Sequence, residues 1–117
     1  MNTPSNAPGH RQCLLAELPA SLDAEQFELL HQAGDLRLLR ILSCGQTAPE
    51  TGWFDQAEDE WVCLLQGAAR LEFAEAAPVT LGPGDALLIP AHCRHKVAWT
   101  PDDQITVWLA LHLPTRP

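Results

Sequence analysis

His92 and His95, three residues apart with Cys93 and Arg94 between them, are the side chains of this chain best equipped for chemistry. Imidazole titrates near neutral pH, moves protons and offers a nitrogen lone pair. Upstream, Asp55, Gln56, Glu58, Asp59 and Glu60 place four carboxylates and an amide within six residues. Most of that run reads as a solvated acidic loop. Glu60 stands apart, because it heads an apolar run and an ionised carboxylate is costly to bury unpaired. His112 is a further imidazole near the C-terminus. A nucleophile pair drawn from Cys93 and His95 has no third group to orient it. The chain contains no GxSxG elbow, no GxxxxGK[ST] loop, no GxGxxG turn and no HExxH pair, which sets aside the chemistries those motifs carry.

These side chains need elements to position them. Gly82-Pro83-Gly84 is turn chemistry, so a strand is expected from near Asp85 through Ala86, Leu87, Leu88 and Ile89, ended by Pro90, which cannot donate to a ladder. The two histidines then fall in a turn. Alternation over residues 95–99 makes His95 the opening residue of a strand and puts it on one face with Val97. The apolar run of residues 61–66 closes at Gly67, and residues 69–73 alternate with Arg70 and Glu72 outward, which predicts a hairpin through Gln66-Gly67. Residues 36–43, 79–81 and 105–113 read as further strands. The last is apolar on both faces, so His112 points inward if it shares the face of Trp108 and Ala110. Residues 13–18 read as a short strand. Asp23 with Gln26 makes a capping box and Leu22 with Phe27 a hydrophobic staple, predicting a helix over residues 24–32 that stops at Gly34. About seven short strands with closely spaced glycine and proline turns imply a β-sandwich or barrel.

Composition bounds what such a barrel can be. The chain has 117 residues, 46% of them hydrophobic, enough for one core. Residues 11–117 are expected to form a single domain behind a disordered tail at residues 1–10. Seven Lys and Arg against 15 Asp and Glu give a formal charge of −8, which argues against nucleic acid and anionic membrane surfaces as partners and favours a small polar metabolite. No apolar run approaches the ~18–20 residues that span a bilayer, and the polar start carries no leader pattern. The expected location is the cytoplasm, with Cys13, Cys44, Cys63 and Cys93 as free thiols.

The spacing also resembles a known family. Gly84, Pro90 and His95 stand at the glycine, proline and histidine positions of the second cupin motif, G(X)5PXG(X)2H, with His92 where a glycine is usual. The first motif, G(X)5HXH(X)3-4E(X)6G, is matched at its end by Glu60 and Gly67. Its two histidines are absent: Phe54 and Gln56 occupy their places in one spacing, Trp53 and Asp55 in the other. The chain thus looks like a small single-domain bacterial cupin over about residues 36–113. The resemblance implies an all-β double-stranded β-helix, or jelly-roll barrel, here with one short N-terminal helix. Residues 11–43 would form a strand-helix-strand segment and residues 44–113 the barrel motifs. It also implies a homodimer, with residues 11–43 supplying much of the contact.

A typical cupin site offers three imidazoles and a carboxylate, which suits a divalent transition metal such as Zn, Mn, Fe or Ni. Here the set implied is His95, Glu60 and Gln56, with His92 as a further imidazole, and it is oxygen-rich and weaker because an amide replaces a nitrogen donor. Asp55, Trp99 and His112 are the expected ligand contacts. Two functions from different classes follow. In one, the lumen is a binding or sensory module for a small polar ligand, with or without metal. In the other, a metal-dependent isomerase, dioxygenase or decarboxylase acts through Glu60 and Asp59 as catalytic carboxylates.

Overall fold

A computed structural model describes residues 8–114. Eight strands follow in order: β1 Gln26–Ala33, β2 Leu36–Ser43, β3 Asp59–Gln66, β4 Ala69–Phe73, β5 Ala76–Leu81, β6 Ala86–Ile89, β7 His95–Trp99 and β8 Thr106–Leu113. They form a five-stranded sheet in the order β1-β2-β8-β3-β6 and a three-stranded sheet in the order β5-β4-β7, with every paired strand antiparallel. The two sheets face each other across a core of Val62, Leu64, Ala69, Leu71, Leu81, Ile89, Trp108 and Ala110. Alternation puts Glu60, Val62 and Leu64 of β3 on that inner face, and Trp108, Ala110 and His112 of β8 beside them. A smaller cluster of Leu42, Ile105 and Val107, covered by Leu18, Leu22, Cys44 and Leu65, closes the back of the larger sheet.

Three expectations are corrected. The segment predicted as a helix is β1, which pairs with β2 from Gln26 opposite Leu42 to Ala33 opposite Leu36, through a turn in which Gly34 has φ +59°. No described residue is helical. The capping signals were local, whereas the alternation of Phe27 and Leu29 offers an apolar stripe to Ile41 and Leu39, and pairing along the whole element outweighs a cap of about 1 kcal/mol. Residues 13–18 form a turn rather than a strand; the Leu14 carbonyl accepts from Arg40 at 2.9 Å, and Leu18 packs into the second core.

The hairpin expected at Gln66-Gly67 is a crossing between sheets, because β3 pairs with β6 and β8 while β4 pairs with β5 and β7. Gly67 makes that crossing with φ +89°, and a Cβ there would stand 2.8 Å from the Thr106 Cα. The tail expected over residues 1–10 falls outside the described residues for its first seven positions.

Candidate functional site in the barrel lumen

Register on the larger sheet brings the first two site residues together. Glu60 lies opposite His112 on the neighbouring strand, and their side chains share the inner face. Both are buried, at 9% and 8% exposure. His95 arrives from the opposite sheet, where the Phe54 backbone exchanges two hydrogen bonds with it, at 2.8 and 3.1 Å. Its ring lies between Phe54 and Phe73, with centroids 5.5 and 6.5 Å away. The Phe54 bridge also carries Gln56 into the lumen.

Hydrogen bonding sets the chemistry of this cluster. The Cys93 carbonyl, which can only accept, lies 2.8 Å from His95 Nδ1, so Nδ1 carries a proton and Nε2 faces the lumen. That Nε2 is 3.7 Å from Glu60 Oε1. Gln56 donates its amide N–H to Glu60 Oε1 at 3.1 Å, with the same nitrogen 3.5 Å from His95 Nε2. On the far side, His112 Nε2 is 3.7 Å from Glu60 Oε2, and His112 Nδ1 faces Glu58 Oε1 at 3.6 Å without a hydrogen bond. Glu58 in turn accepts from Arg37 at 2.5 Å. His112 therefore stands between a carboxylate in the lumen and one on the rim.

The electrostatics follow from these contacts. Burial pushes the Glu60 carboxyl up, but the His95 imidazole 3.7 Å away and the Gln56 N–H, with the fields of His112 and His95, outweigh it and hold the group below its ordinary 4.5. Burial pushes the His95 imidazole down, yet the nearby Glu60 carboxylate, the Cys93 carbonyl and the Glu60 charge carry it above its ordinary 6.5. Each group stabilises the charged form of the other.

The cluster closes one end of a cavity of about 180 Å³. Its walls are largely apolar, with Leu39, Ile41, Val62, Leu71, Val97 and Trp108 among them, and Phe27 and Ala48 complete the lining. A second polar group, Glu25, was not anticipated, since its segment read as helix. Ser43 Oγ donates to Glu25 at 3.0 Å and accepts from the Trp108 indole N–H at 3.2 Å. Burial raises the Glu25 carboxyl, only partly offset by that hydroxyl.

Of the expected residues, the structure thus gathers Gln56, Glu60, His95 and His112. It does not bring His92, Asp55, Asp59 or Trp99 into the lumen. His92 sits at φ +61°, a left-handed turn position that turns its ring outward to Asp55, 2.7 Å away, and both side chains are exposed. Asp59 Oδ1 accepts the Ala91 backbone N–H at 2.8 Å and so pins the turn after β6. Trp99 is 46% exposed and does not line the cavity.

Among the described residues no three His, Cys, Asp or Glu side chains converge so as to hold a metal ion. The donor set explains this. Gln56 turns an amide N–H, which cannot ligate, toward Glu60, and Phe54 fills the place of the other imidazole. The residues present do not fit a resident metal.

Two antiparallel sheets enclosing a lumen with a carboxylate–imidazole cluster define a cupin-like barrel. The chain belongs to the cupin family: the family's cupin-domain profile matches residues 43–112. A protein from Ralstonia eutropha JMP134, provisionally designated a mannose-6-phosphate isomerase, is similar at 41% identity over 91% of this chain and 99% of that one, with a TM-score of 0.85. A cupin superfamily protein from Desulfitobacterium hafniense DCB-2 is 22% identical over 97% and 100% of the two chains, with a TM-score of 0.74. An RmlC-like cupin from Desulfovibrio desulfuricans is 17% identical over 91% and 100%, with a TM-score of 0.67. The last two support the fold alone. No curated protein matches the chain.

Proposed function

We propose that the protein binds a small ligand in its lumen, anchoring a polar group of that ligand at the Gln56, Glu60, His95 and His112 end, as a binding or sensory module with no metal as a resident part. The observation that carries this reading is the buried, mutually stabilised Glu60–His95 pair lining a largely apolar cavity. Such a pair is costly to bury, and an apolar pocket with a few convergent polar groups and shifted pKa values is the ordinary form of a ligand site. Ligand-observed NMR against a fragment library tests it: hits displaced by Glu60→Gln or His95→Ala support lumen binding, and a library with no such hit refutes it.

A second reading has one specific support, the 41% identical protein designated a mannose-6-phosphate isomerase. A carboxylate beside an imidazole can take the proton from the carbon next to a carbonyl and return it to the former carbonyl carbon while the hydroxyl proton moves between the two oxygens. Turnover of mannose 6-phosphate, lost in Glu60→Gln, would establish this alternative in place of the first. Either activity would be exercised by a cytoplasmic homodimer in this proposal. Phe27 and Leu29, 63% and 48% exposed on the inner face of β1, are the apolar side chains for a second copy to cover. Among the described residues no helix is long and apolar enough to cross a membrane.

A further inference from the structure

The charge inventory of the lumen bears on which ligand it takes. The ionisable side chains on its lining are Glu25, Glu60, His95 and His112, and among the described residues no Lys or Arg reaches it. The cations of the strands lie elsewhere and are already engaged, Arg37 with Glu58, Arg40 with Glu28, and Arg70 and Lys96 with Glu72, as is Arg94 just before β7 with Glu75. Phosphate groups are held by Arg, Lys or the N–H groups of a helix start, and no described residue is helical. A proton gained by His95 faces Glu60 3.7 Å away, so it neutralises a charge already present. An anion entering beside Glu60 would be buried without compensation. The overall charge of −8 opposes its approach as well.

Shape narrows the class further. An apolar cavity of about 150 Å³ accommodates benzene, so about 180 Å³ admits one six-membered ring with a short head group. Leu39, Ile41, Val62, Leu71 and Val97 on the lining offer no side-chain partner to the ring hydroxyls of a sugar. Buried hydroxyls without partners are strongly disfavoured.

We infer that the lumen is selective for a small uncharged or cationic amphiphile, an aryl or branched-alkyl body with a hydroxyl or amino head donating to Glu60, and that it excludes phosphorylated sugars and carboxylates. The inference rests on the lumen-binding reading and names the ligand class of that site.

Titration calorimetry of the full chain with benzylamine, benzyl alcohol, phenylacetate and mannose 6-phosphate tests it. For eight non-hydrogen atoms the expected Kd of benzylamine and benzyl alcohol is on the order of 1 mM. Phenylacetate, with the same body and an anionic head, is expected to bind at least about tenfold more weakly, and mannose 6-phosphate not to saturate. Glu60→Gln should weaken benzylamine roughly fivefold or more while leaving benzyl alcohol within about threefold, because only the amine loses an ion pair. Ala48→Phe, which fills the lumen from a half-buried position on its lining, should abolish binding of both and locates the site even where Glu60→Gln is poorly folded. Saturable binding of phenylacetate or mannose 6-phosphate that Ala48→Phe blocks would overturn the ligand class and leave lumen binding standing. Amine binding insensitive to both substitutions would place the site elsewhere and overturn the inference. If none of the four probes binds at about 10 mM, the lumen reading fails along with it.

Discussion

Glu60→Gln is the substitution that most directly tests the electrostatic account of the lumen. It is nearly isosteric, so packing is preserved, and the new amide oxygen still accepts from Gln56. What disappears is the charge to which His95 and His112 each present Nε2 at 3.7 Å. At that separation and an effective dielectric of 20, one protonated imidazole gains about 4–5 kcal/mol of Coulomb attraction. Desolvation of the buried groups offsets most of it, and hydrogen bonds to charged groups net about 1.5–3 kcal/mol. The expected loss of stability is therefore about 2 kcal/mol, and its pH dependence is diagnostic. Glu60, held below 4.5 in the fold, contributes stability that is present above 4.5 and lost as pH falls through its lowered value. His95, held above 6.5, contributes stability that is full below 6.5 and lost as pH rises through its raised value. The two windows overlap between about pH 4.5 and 6.5, where the variant should lose most. As pH rises through the raised pKa of His95, wild type loses the imidazolium charge and keeps a buried carboxylate with less compensation, so the difference should shrink. Urea unfolding at pH 5.5 and pH 9 measures this, and an NMR titration should find His95 lower in the variant, where only the Cys93 carbonyl still opposes burial, than in wild type. A loss of equal size at both pH values, or an unmoved His95 titration, would refute the coupling.

Four further outcomes are expected. Gly67→Ala should cost about 3–4 kcal/mol in urea unfolding, since its Cβ would lie 2.4 Å from Thr106 Oγ1 and 2.8 Å from the Thr106 Cα, on top of the strain at φ +89°. Gly84→Ala, at φ +88° with open space around it, should cost only about 1–2 kcal/mol, and equal losses would contradict the contact argument. Ser43→Ala strands the buried Trp108 indole N–H and removes the hydroxyl that partly offsets the burial of Glu25, for about 1–3 kcal/mol at pH 7; an unchanged unfolding midpoint would discount that chain. Phe54→His combined with Gln56→His should gain zinc affinity by on the order of a hundredfold over wild type in dye competition, as two imidazoles join His95 and Glu60, and no gain would mean that the loop does not aim these positions into the lumen. Light scattering should report a dimer that Phe27→Asp weakens, and a monomeric wild type would end that expectation.

The barrel motif was legible because its glycines and proline act locally. Gly84 has the positive φ its turn needs, Pro90 ends β6, and His95 lines the lumen with Val97 as alternation requires. Gln56 and Glu60, four residues apart, meet His95 from 39 residues beyond Gln56. What escaped were decisions made by distant partners. β1 carries helix-start signals and folds as a strand because β2 offers it a full-length ladder. The chain leaves one sheet for the other at Gly67, where a hairpin was expected, because β8 and β6 already flank β3. His92 sits in the turn before β7 at φ +61°, and its ring meets Asp55 outside, whereas His95 opens the strand and faces the lumen. Asp59 and Glu60 are neighbours in sequence but alternate across the strand, so one pins a turn and the other enters the lumen.

The same alternation explains how the lumen stays coherent with both first-motif imidazoles replaced. A carboxylate facing inward on β3 needs donors whether or not a cation is present, and at this site they come from the protein. Gln56 supplies an N–H at 3.1 Å where a ligand would have to supply a lone pair. Phe54 keeps an aromatic ring against His95 and so retains the wall while discarding the nitrogen. His112, on a strand outside both motifs, faces Glu60 Oε2 at 3.7 Å because register sets them opposite each other. The substitutions at 54 and 56 are thus matched to one another. Where the family motif has two imidazoles, position 54 here gives an aromatic wall against His95 and position 56 an N–H donor to Glu60.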